Sequence, residues 1–262
     1  MAVSGGNGVE VAPPLTAPAP GPRDRHRVFE HMFEHLDCTP VRVRASTVSG
    51  HPEEPQVSAT GVPTSTNAWQ PERVHEDADL PAPEDPDDVV EAAGATFLGC
   101  RLTSAVLVDA GLTRTTWRGG TLTGVRFVGG RMARSSWHEV TLDDCALAGC
   151  ELYGTVLRGV TLRGCVLDAV NLRGATLQDV AFENCVLRDL DLGSATLTGL
   201  RFPACRVERL DLTNATLTEV DLRGAELDMA RGLDRLAGAV VDAGQLMTLA
   251  PAMAAHLGLE VR

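Results

Sequence analysis

The sequence has few aromatic residues and no lysine. Only 4% of its 262 residues are Phe, Trp or Tyr, and Tyr153 is the single tyrosine. Because aromatic side chains dominate most globular cores, we expect a core built from aliphatic layers. All 23 basic residues are arginines, which we interpret as the coding bias of a GC-rich bacterial genome.

Long apolar runs and targeting segments are also missing. No stretch approaches the roughly 18 apolar residues that a membrane span needs. The start, MAVSGGNGVEVAPPL, has neither the basic nor the hydrophobic region of a secretory signal. Without export, the seven cysteines predict reduced thiols. We therefore expect a cytoplasmic protein that does not bind membranes.

Motifs of common enzymes do not occur either. There is no G-x-S-x-G, no glycine-rich phosphate loop, and no Ser, His and Asp set, since His138 stands alone in the central segment. The acidic pair Asp143–Asp144 lies in a repetitive segment with no sign of a cleft. We predict no enzymatic activity, no catalytic, cofactor-binding or metal-binding residue, and no cofactor.

The formal net charge of −12 is unevenly distributed. Residues 1–94 carry 16 acids and 6 arginines, whereas 95–230 carry 16 acids and 14 arginines and 231–262 carry three of each. Thirteen of the 15 prolines also precede residue 94. Such a segment buries too little apolar surface to offset its ordering entropy, which predicts a mostly disordered arm over 1–94.

A short helix is predicted near 26–37 of this arm, where apolar residues recur at helical spacing in RHRVFEHMFEHL. His31 and His35 are four residues apart on this helix and could share a metal. However, Met32 stands where a zincin has its glutamate, and no third ligand is evident beyond nearby Cys38. We interpret the pair as a solvated helix face.

A period of five residues begins near residue 95. A large apolar residue occupies the centre of 27 consecutive pentapeptides from Phe97 to Leu227. Two residues after the centre stands glycine in eleven units and Asp or Asn in six more. Because helices repeat every 3.6 residues and strands every two, this period predicts a turn every five residues and a solenoid.

A period of twenty is superimposed on the period of five. Every fourth pentapeptide shares its residue types, which gives columns such as Thr96, Thr116, Ser136, Val156, Thr176, Thr196 and Thr216. Four units then complete one coil, and residues i and i+20 lie above each other. With a coil spacing of about 4.8 Å, 27 units predict nearly seven coils.

The segments AVNLRGATLQDV, DLDLGSATLTGL and EVDLRGAELDM resemble the pentapeptide-repeat family, whose consensus is A-(D/N)-L-x-x. The resemblance covers 95–230 and implies an all-β fold, a right-handed quadrilateral β-helix with four pentapeptide sides per coil. Trp117 and Trp137 depart from the pattern because indoles are large for a narrow core. We expect the first three coils to be wider or less regular than the last four.

One column consists of cysteines and is a candidate metal site. It contains Cys145, Cys165, Cys185 and Cys205, with Cys150 nearby. Stacking places successive sulfur atoms about 4.8 Å apart in a line. Zinc requires four thiolates converging at about 2.3 Å from the metal. We therefore interpret these cysteines as small apolar core residues that form neither metal sites nor disulfides.

A helical cap is predicted over 231–262. Asp242 and Gln245 have the spacing of a capping box, and Gly258 is a helix stop. We expect two short helices, the second restarting at Pro251, that cover the last coil. The expected inward residues are Leu246, Leu249, Met253 and Leu257.

We expect a non-catalytic scaffold that binds an unknown protein partner, without direct nucleic-acid binding. An exposed patch is predicted around Trp117, Trp137 and Tyr153. The alternative is a DNA-mimicking protein that binds topoisomerase (gyrase). The resemblance implies this role for some members of the family, together with a homodimer through the C-terminal helices. Mimicry needs a continuous acidic face, whereas one outward column mixes Gly111, Arg131, Glu151, Asn171, Asp191 and Asp211.

Overall fold

The computed structural model describes residues 69–83, 88–227 and 230–260. All described residues belong to one compact unit of the chain, Thr60–Arg262. The helix predicted near 26–37, with His31 and His35, lies outside the described residues.

The described residues form 23 short parallel strands that wind into a solenoid of about eight turns with four faces. The first face contains eight strands: β1 (Val74–Glu76), β3 (Thr96–Leu98), β6 (Thr116–Arg118), β9 (Ser136–His138), β12 (Val156–Arg158), β15 (Thr176–Gln178), β18 (Thr196–Thr198) and β21 (Thr216–Thr218). The second face contains β2 (Asp79–Leu80), β4 (Arg101–Thr103), β7 (Thr121–Thr123), β10 (Thr141–Asp143), β13 (Thr161–Arg163) and β16 (Ala181–Glu183).

The third face contains β5 (Val106–Val108), β8 (Arg126–Val128), β11 (Ala146–Ala148), β14 (Val166–Asn171), β17 (Val186–Asp191), β19 (Arg206–Val207) and β22 (Glu226–Leu227). The long strands β14 and β17 continue onto the fourth face. There β17 pairs with β20 (Leu210–Asp211), which in turn pairs with β23 (Ala230–Arg231). Earlier coils meet on this face through single parallel bridges.

Strand pairing joins residues twenty positions apart. Thr196 pairs with Thr216, and Leu142 pairs with Leu162. Within each strand the central apolar residue is buried while its two neighbours face outward. This pairing confirms the predicted β-helix with four pentapeptide sides per coil.

The corner after each strand explains the glycines. The corner residue, two positions after the buried centre, has a positive φ in almost every described unit. Gly119, for example, has a φ of 63° and donates its N–H to the carbonyl of His138 at 2.8 Å. Left-handed backbone is favourable for glycine and tolerated by Asp and Asn, and these three residue types occupy most of the corners, with Ser, Ala, Arg and Glu at the others.

The solenoid begins before residue 95, so the predicted boundary between arm and solenoid is wrong. Val74 pairs with Thr96 and Asp79 with Arg101, a step of 22 residues instead of 20. His75 takes the buried centre of this first coil. The longer step and the histidine break the five-residue pattern, which hides this coil in the sequence.

The large aromatic residues stack in one interior column. Phe97 and Trp117 have ring centroids 4.0 Å apart, and Trp117 and Trp137 are 5.3 Å apart, with nearly parallel planes. Their strands keep the twenty-residue register, so the expectation of less regular coils here is wrong. Small inward neighbours such as Ala95 and Ala105 accommodate the indoles.

The C-terminal cap contains a 3₁₀ helix, Leu233–Leu236, and one α-helix, α1 (Ala243–His256). The capping box of Asp242 and Gln245 is confirmed. The predicted pair of helices is wrong, because Pro251 lies inside α1. Proline has no N–H to donate to the carbonyl of Met247, four residues earlier. Met247 is solvent-exposed, so water can donate a hydrogen bond to this carbonyl instead.

The helix is hydrogen-bonded to the last coil at its N-terminal end and capped at its C-terminal end. The buried Gln245 Nε2 donates to the carbonyls of Leu222 and Ala225, the latter at 2.7 Å. At the other end, Gly258 and Leu259 donate to the carbonyls of Ala255 and Ala254, the pattern of a Schellman motif. The open strand edge at this end is thereby covered.

Candidate interaction surfaces

The interior of the solenoid holds the cysteine column as predicted, with Cys145, Cys165, Cys185 and Cys205 buried and not in disulfides. The thiols hydrogen-bond to backbone carbonyls, as Cys165 does to Leu142 at 3.4 Å. Burial raises the pKa of the Cys150 thiol to about 12. A protonated, buried thiol is a poor nucleophile and metal ligand.

The polar residues considered in the sequence do not converge. His138 lies on the first face, whereas Asp143 lies on the second face and pairs with Arg163. Asp144 occupies the next corner, with a φ of 52°. Within residues 69–83, 88–227 and 230–260, no three His, Cys, Asp or Glu side chains are grouped so as to hold a metal ion.

The predicted aromatic patch is wrong for both tryptophans. Trp117 and Trp137 are buried, and the indole N–H of Trp137 donates to the Ser135 hydroxyl at 2.9 Å. The reason is that both occupy strand centres, where side chains face the interior. Tyr153 follows a centre and is 40% exposed, so it stands on the surface without the other two.

Ion-pair ladders place opposite charges next to each other on the outer surface of the second and third faces. On the second face Arg163 lies between Asp143 (3.5 Å) and Glu183 (3.0 Å), one coil to either side. On the third face Arg188 lies in the same way between Asp168 and Glu208. Acids and arginines thus alternate along the solenoid axis.

The fourth face contains a longer pairing. Arg131 donates to Glu91, two coils away, at 2.6 Å. The intervening residue is Gly111, and a Cβ there would collide with the Glu91 carboxylate. The glycine therefore leaves room for the ion pair to cross one coil.

The first face differs from the other three. It carries Arg118, His138 and Arg158 at the same position of consecutive strands, in register with one another. We call these three residues the basic strip. Neither arginine has a carboxylate of the described residues within 4.0 Å, and the described part of the first face contains no ion pair. The sequence prediction missed the strip, although its residues recur at twenty-residue spacing.

The helical cap exposes apolar side chains. Leu249 is buried as predicted and Met253 packs partly against the core. Leu246 and Leu257 were predicted to face inward but are 49% and 71% exposed. They join Met247, which is 75% exposed, and Leu259. We call Leu246, Met247, Leu257 and Leu259 the cap surface.

Comparison with known proteins identifies the repeat. The sequence profile described as "Pentapeptide repeat region" matches residues 135–202 and 160–231. Residues 135–231 of the chain are a pentapeptide-repeat region. No curated protein sequence gave a significant match to the chain.

Several solved structures resemble this chain. HetL, a pentapeptide-repeat protein involved in heterocyst differentiation regulation in the cyanobacterium Nostoc, is 24% identical, with 65% of this chain and 75% of HetL covered and a TM-score of 0.37. QnrB1, a plasmid-mediated fluoroquinolone resistance protein, is 17% identical, with 63% and 90% covered and a TM-score of 0.33. Rfr23 from the cyanobacterium Cyanothece is 26% identical, with 43% and 64% covered and a TM-score of 0.27.

No helix of the described part of the chain has both the length and the apolar character to span a bilayer.

Proposed function

We propose that this protein is a non-catalytic scaffold that binds another protein molecule through the cap surface. The supporting observation is the set of large apolar side chains that α1 and the residues just after it leave exposed to solvent. Exposed apolar surface is common at protein interaction sites. The shared chemistry of these residues favours an apolar protein partner.

The cap surface is also held rigidly. The capping box and the two Gln245 hydrogen bonds fix the start of α1 on the last coil, and the Schellman motif closes its C-terminal turn. A surface that is already ordered loses little conformational entropy when it binds. This pre-organisation supports an interaction role for the helix beyond covering the last coil.

A second copy of this chain is the partner that we propose first. The exposed leucines and Met247 are apolar, and a twofold axis would place the same patch on both sides of the interface. Two such patches would shield each other from water. The protein would then be a homodimer joined through α1.

The alternating charges count against the DNA-mimicking, gyrase-binding alternative. A DNA mimic needs negative charge repeated along one face, in the place of phosphates. On the second and third faces, Arg163 and Arg188 separate the acids at every second coil. On the first face the basic strip is positive. We therefore retain the scaffold as the proposed function.

The absence of a chemical centre among the described residues supports a non-catalytic role. The described cysteines are buried, and His138 has no nucleophile or carboxylate within hydrogen-bonding distance in residues 69–83, 88–227 and 230–260. A catalytic set would need a nucleophile and a base within hydrogen-bond reach.

The test compares the full-length protein with two helix variants by sedimentation velocity over a range of concentrations. Met247→Glu places a charge in the cap surface. Ala252→Glu places the same charge about 140° around the helix, outside that surface. We expect a dimer for the wild type and Ala252→Glu, and a monomer for Met247→Glu.

Dimers of equal stability in all three proteins would contradict the role of the cap surface. A monomeric wild type would contradict the homodimer. In that case, the wild type and Ala252→Glu could capture a different protein that Met247→Glu does not capture. This result would support a scaffold with a different partner.

A further inference from the structure

The basic strip combines three cationic side chains at one coil spacing. Arg118, His138 and Arg158 follow the buried centres of β6, β9 and β12, so their side chains all face outward. Parallel pairing fixes neighbouring positions about 4.8 Å apart. The two arginines are therefore about 10 Å apart at the backbone, with the imidazole between them.

The arginines of the strip differ from those of the ion-pair ladders. Arg101, Arg163, Arg173 and Arg188 each pair with a carboxylate one coil away. The same column of the first face instead continues from the strip to Leu98 on one side and to Gln178 on the other. No acid occupies the place where the ladders of other faces have one.

Charge and burial act together on His138. The pKa of His138 is lowered, first by partial burial and then by the positive charges of Arg118 and Arg158, with Glu139 acting in the opposite direction. The imidazole thus lies in a positive field that Glu139 offsets only in part. An anion bound between the arginines would reverse that field.

A groove runs along the strip. Its volume is about 480 Å³, and its lining includes the strip, Gly119, Gly159 and Gln178, within the size range of small-molecule sites. Glu139 and Asp179 stand at its corner edge and limit its positive part to three coils. The groove is therefore suited to a compact anion and not to a long polyanion.

We propose that Arg118, His138 and Arg158 bind a compact phosphate-bearing small molecule in this groove. Guanidinium groups bind phosphate oxygens with paired, charge-assisted hydrogen bonds. A phosphate monoester carries about −1.5 to −2 at neutral pH, which matches two arginines. A single carboxylate would leave one arginine unmatched. The site lies on the first face, away from the cap surface, and does not depend on the proposed function.

Inorganic pyrophosphate is a suitable probe for this site. Titration is followed by calorimetry and by the NMR signals of the His138 ring in the full-length protein. We expect saturable binding, a rise in the pKa of His138 on saturation, and at least a tenfold loss of affinity in Arg158→Gln. Arg163→Gln is the matched control, since it removes the same charge from a paired arginine on the second face.

Several outcomes would overturn the proposal. One is the lack of saturable binding below about 10 mM ligand, a concentration on the order of the weakest specific affinities. Another is an equal loss of affinity for pyrophosphate in Arg158→Gln and Arg163→Gln. Citrate binding as strongly as pyrophosphate would contradict the preference for phosphate. Tighter binding of a DNA duplex with the same arginine dependence would contradict a compact site. Far-ultraviolet circular dichroism checks that each variant is folded.

Discussion

The first and second faces have the same interior and different exteriors. Leu122 and Leu142 on the second face, like Trp117 and Trp137 on the first face, are buried strand centres in an unbroken twenty-residue register. Outward, the second face alternates Asp143, Arg163 and Glu183, whereas the first face carries the basic strip. The repeat thus fixes the shape without fixing the surface.

This difference separates two uses of surface charge. The ladders neutralise themselves, and exposed ion pairs contribute only about 0.2–1 kcal/mol each, so they add little stability and mainly cancel charge. The arginines of the strip have no such partner among the described residues. A surface whose charges are left unmatched is the more suitable place for a ligand.

The largest expected effect contrasts the interior with the exterior of one strand. Trp117→Ala removes an indole stacked between Phe97 and Trp137, and we expect a loss of about 3–5 kcal/mol in the free energy of unfolding. Arg118→Ala, on the next residue and outward, should change it by about 0.5 kcal/mol or less. Urea denaturation measures both. Similar losses in the two variants would contradict the assignment of inner and outer positions.

The next effect concerns the end of the solenoid. Gln245→Ala removes two buried hydrogen bonds to the last coil and one side of the capping box, so we expect a loss of about 2 kcal/mol. Amide hydrogen exchange should rise selectively around Leu222 and Ala225. The control is Thr248→Ala on the exposed side of the helix. Equal exchange in both variants would show that Gln245 does not fix the cap.

An acid-dependent effect is expected in the first coil. Burial, and then the charge of Arg73, lower the pKa of His75 in the folded state. The unfolded chain then binds more protons as the pH falls below about 6.5, so stability is retained above this pH and decreases below it. His75→Phe should reduce this decrease between pH 6.5 and 5.5, and the part that remains includes the contribution of His138, whose pKa is also lowered. Urea midpoints at the two pH values measure it, and an unchanged decrease would contradict the assignment.

The smallest effect is expected for the ladders. Arg163→Gln breaks two exposed ion pairs, to Asp143 and Glu183, and should cost about 0.2–1 kcal/mol at low salt. The cost should become smaller still in 1 M salt, where the Debye length is about 3 Å. Thermal melts at the two salt concentrations provide the test. If Arg163→Gln instead lost several kcal/mol of stability, the ladders would be important for the fold, which contradicts the small effect expected from their exposure to solvent.

Regularity decides which parts of the molecule could be predicted. The solenoid from Phe97 onward follows from the five- and twenty-residue periods, and the cap from Asp242 and Gln245. The first coil is hidden because His75 takes an aliphatic position and the register step is 22 residues. The indole stack and the course of α1 through Pro251 depend on three-dimensional packing, which no periodicity reveals.

The basic strip was present in the sequence as a column but had no visible meaning there. Arg118, His138 and Arg158 recur at the same twenty-residue spacing as Asp143, Arg163 and Glu183. What distinguishes the two columns is the presence or absence of carboxylates in ion-pair range, which requires side-chain positions. Sequence alone gives the spacing and not the pairing.

The most direct test of this contrast between faces is the pKa of His138, measured by NMR without ligand. In the wild type we expect it below the usual value of about 6.5. In the double variant Arg118→Gln, Arg158→Gln it should rise, because two facing positive charges are removed, and in Arg163→Gln it should stay unchanged. A His138 pKa that does not respond to the double variant, or that responds equally to Arg163→Gln, would contradict the unmatched positive field on the first face.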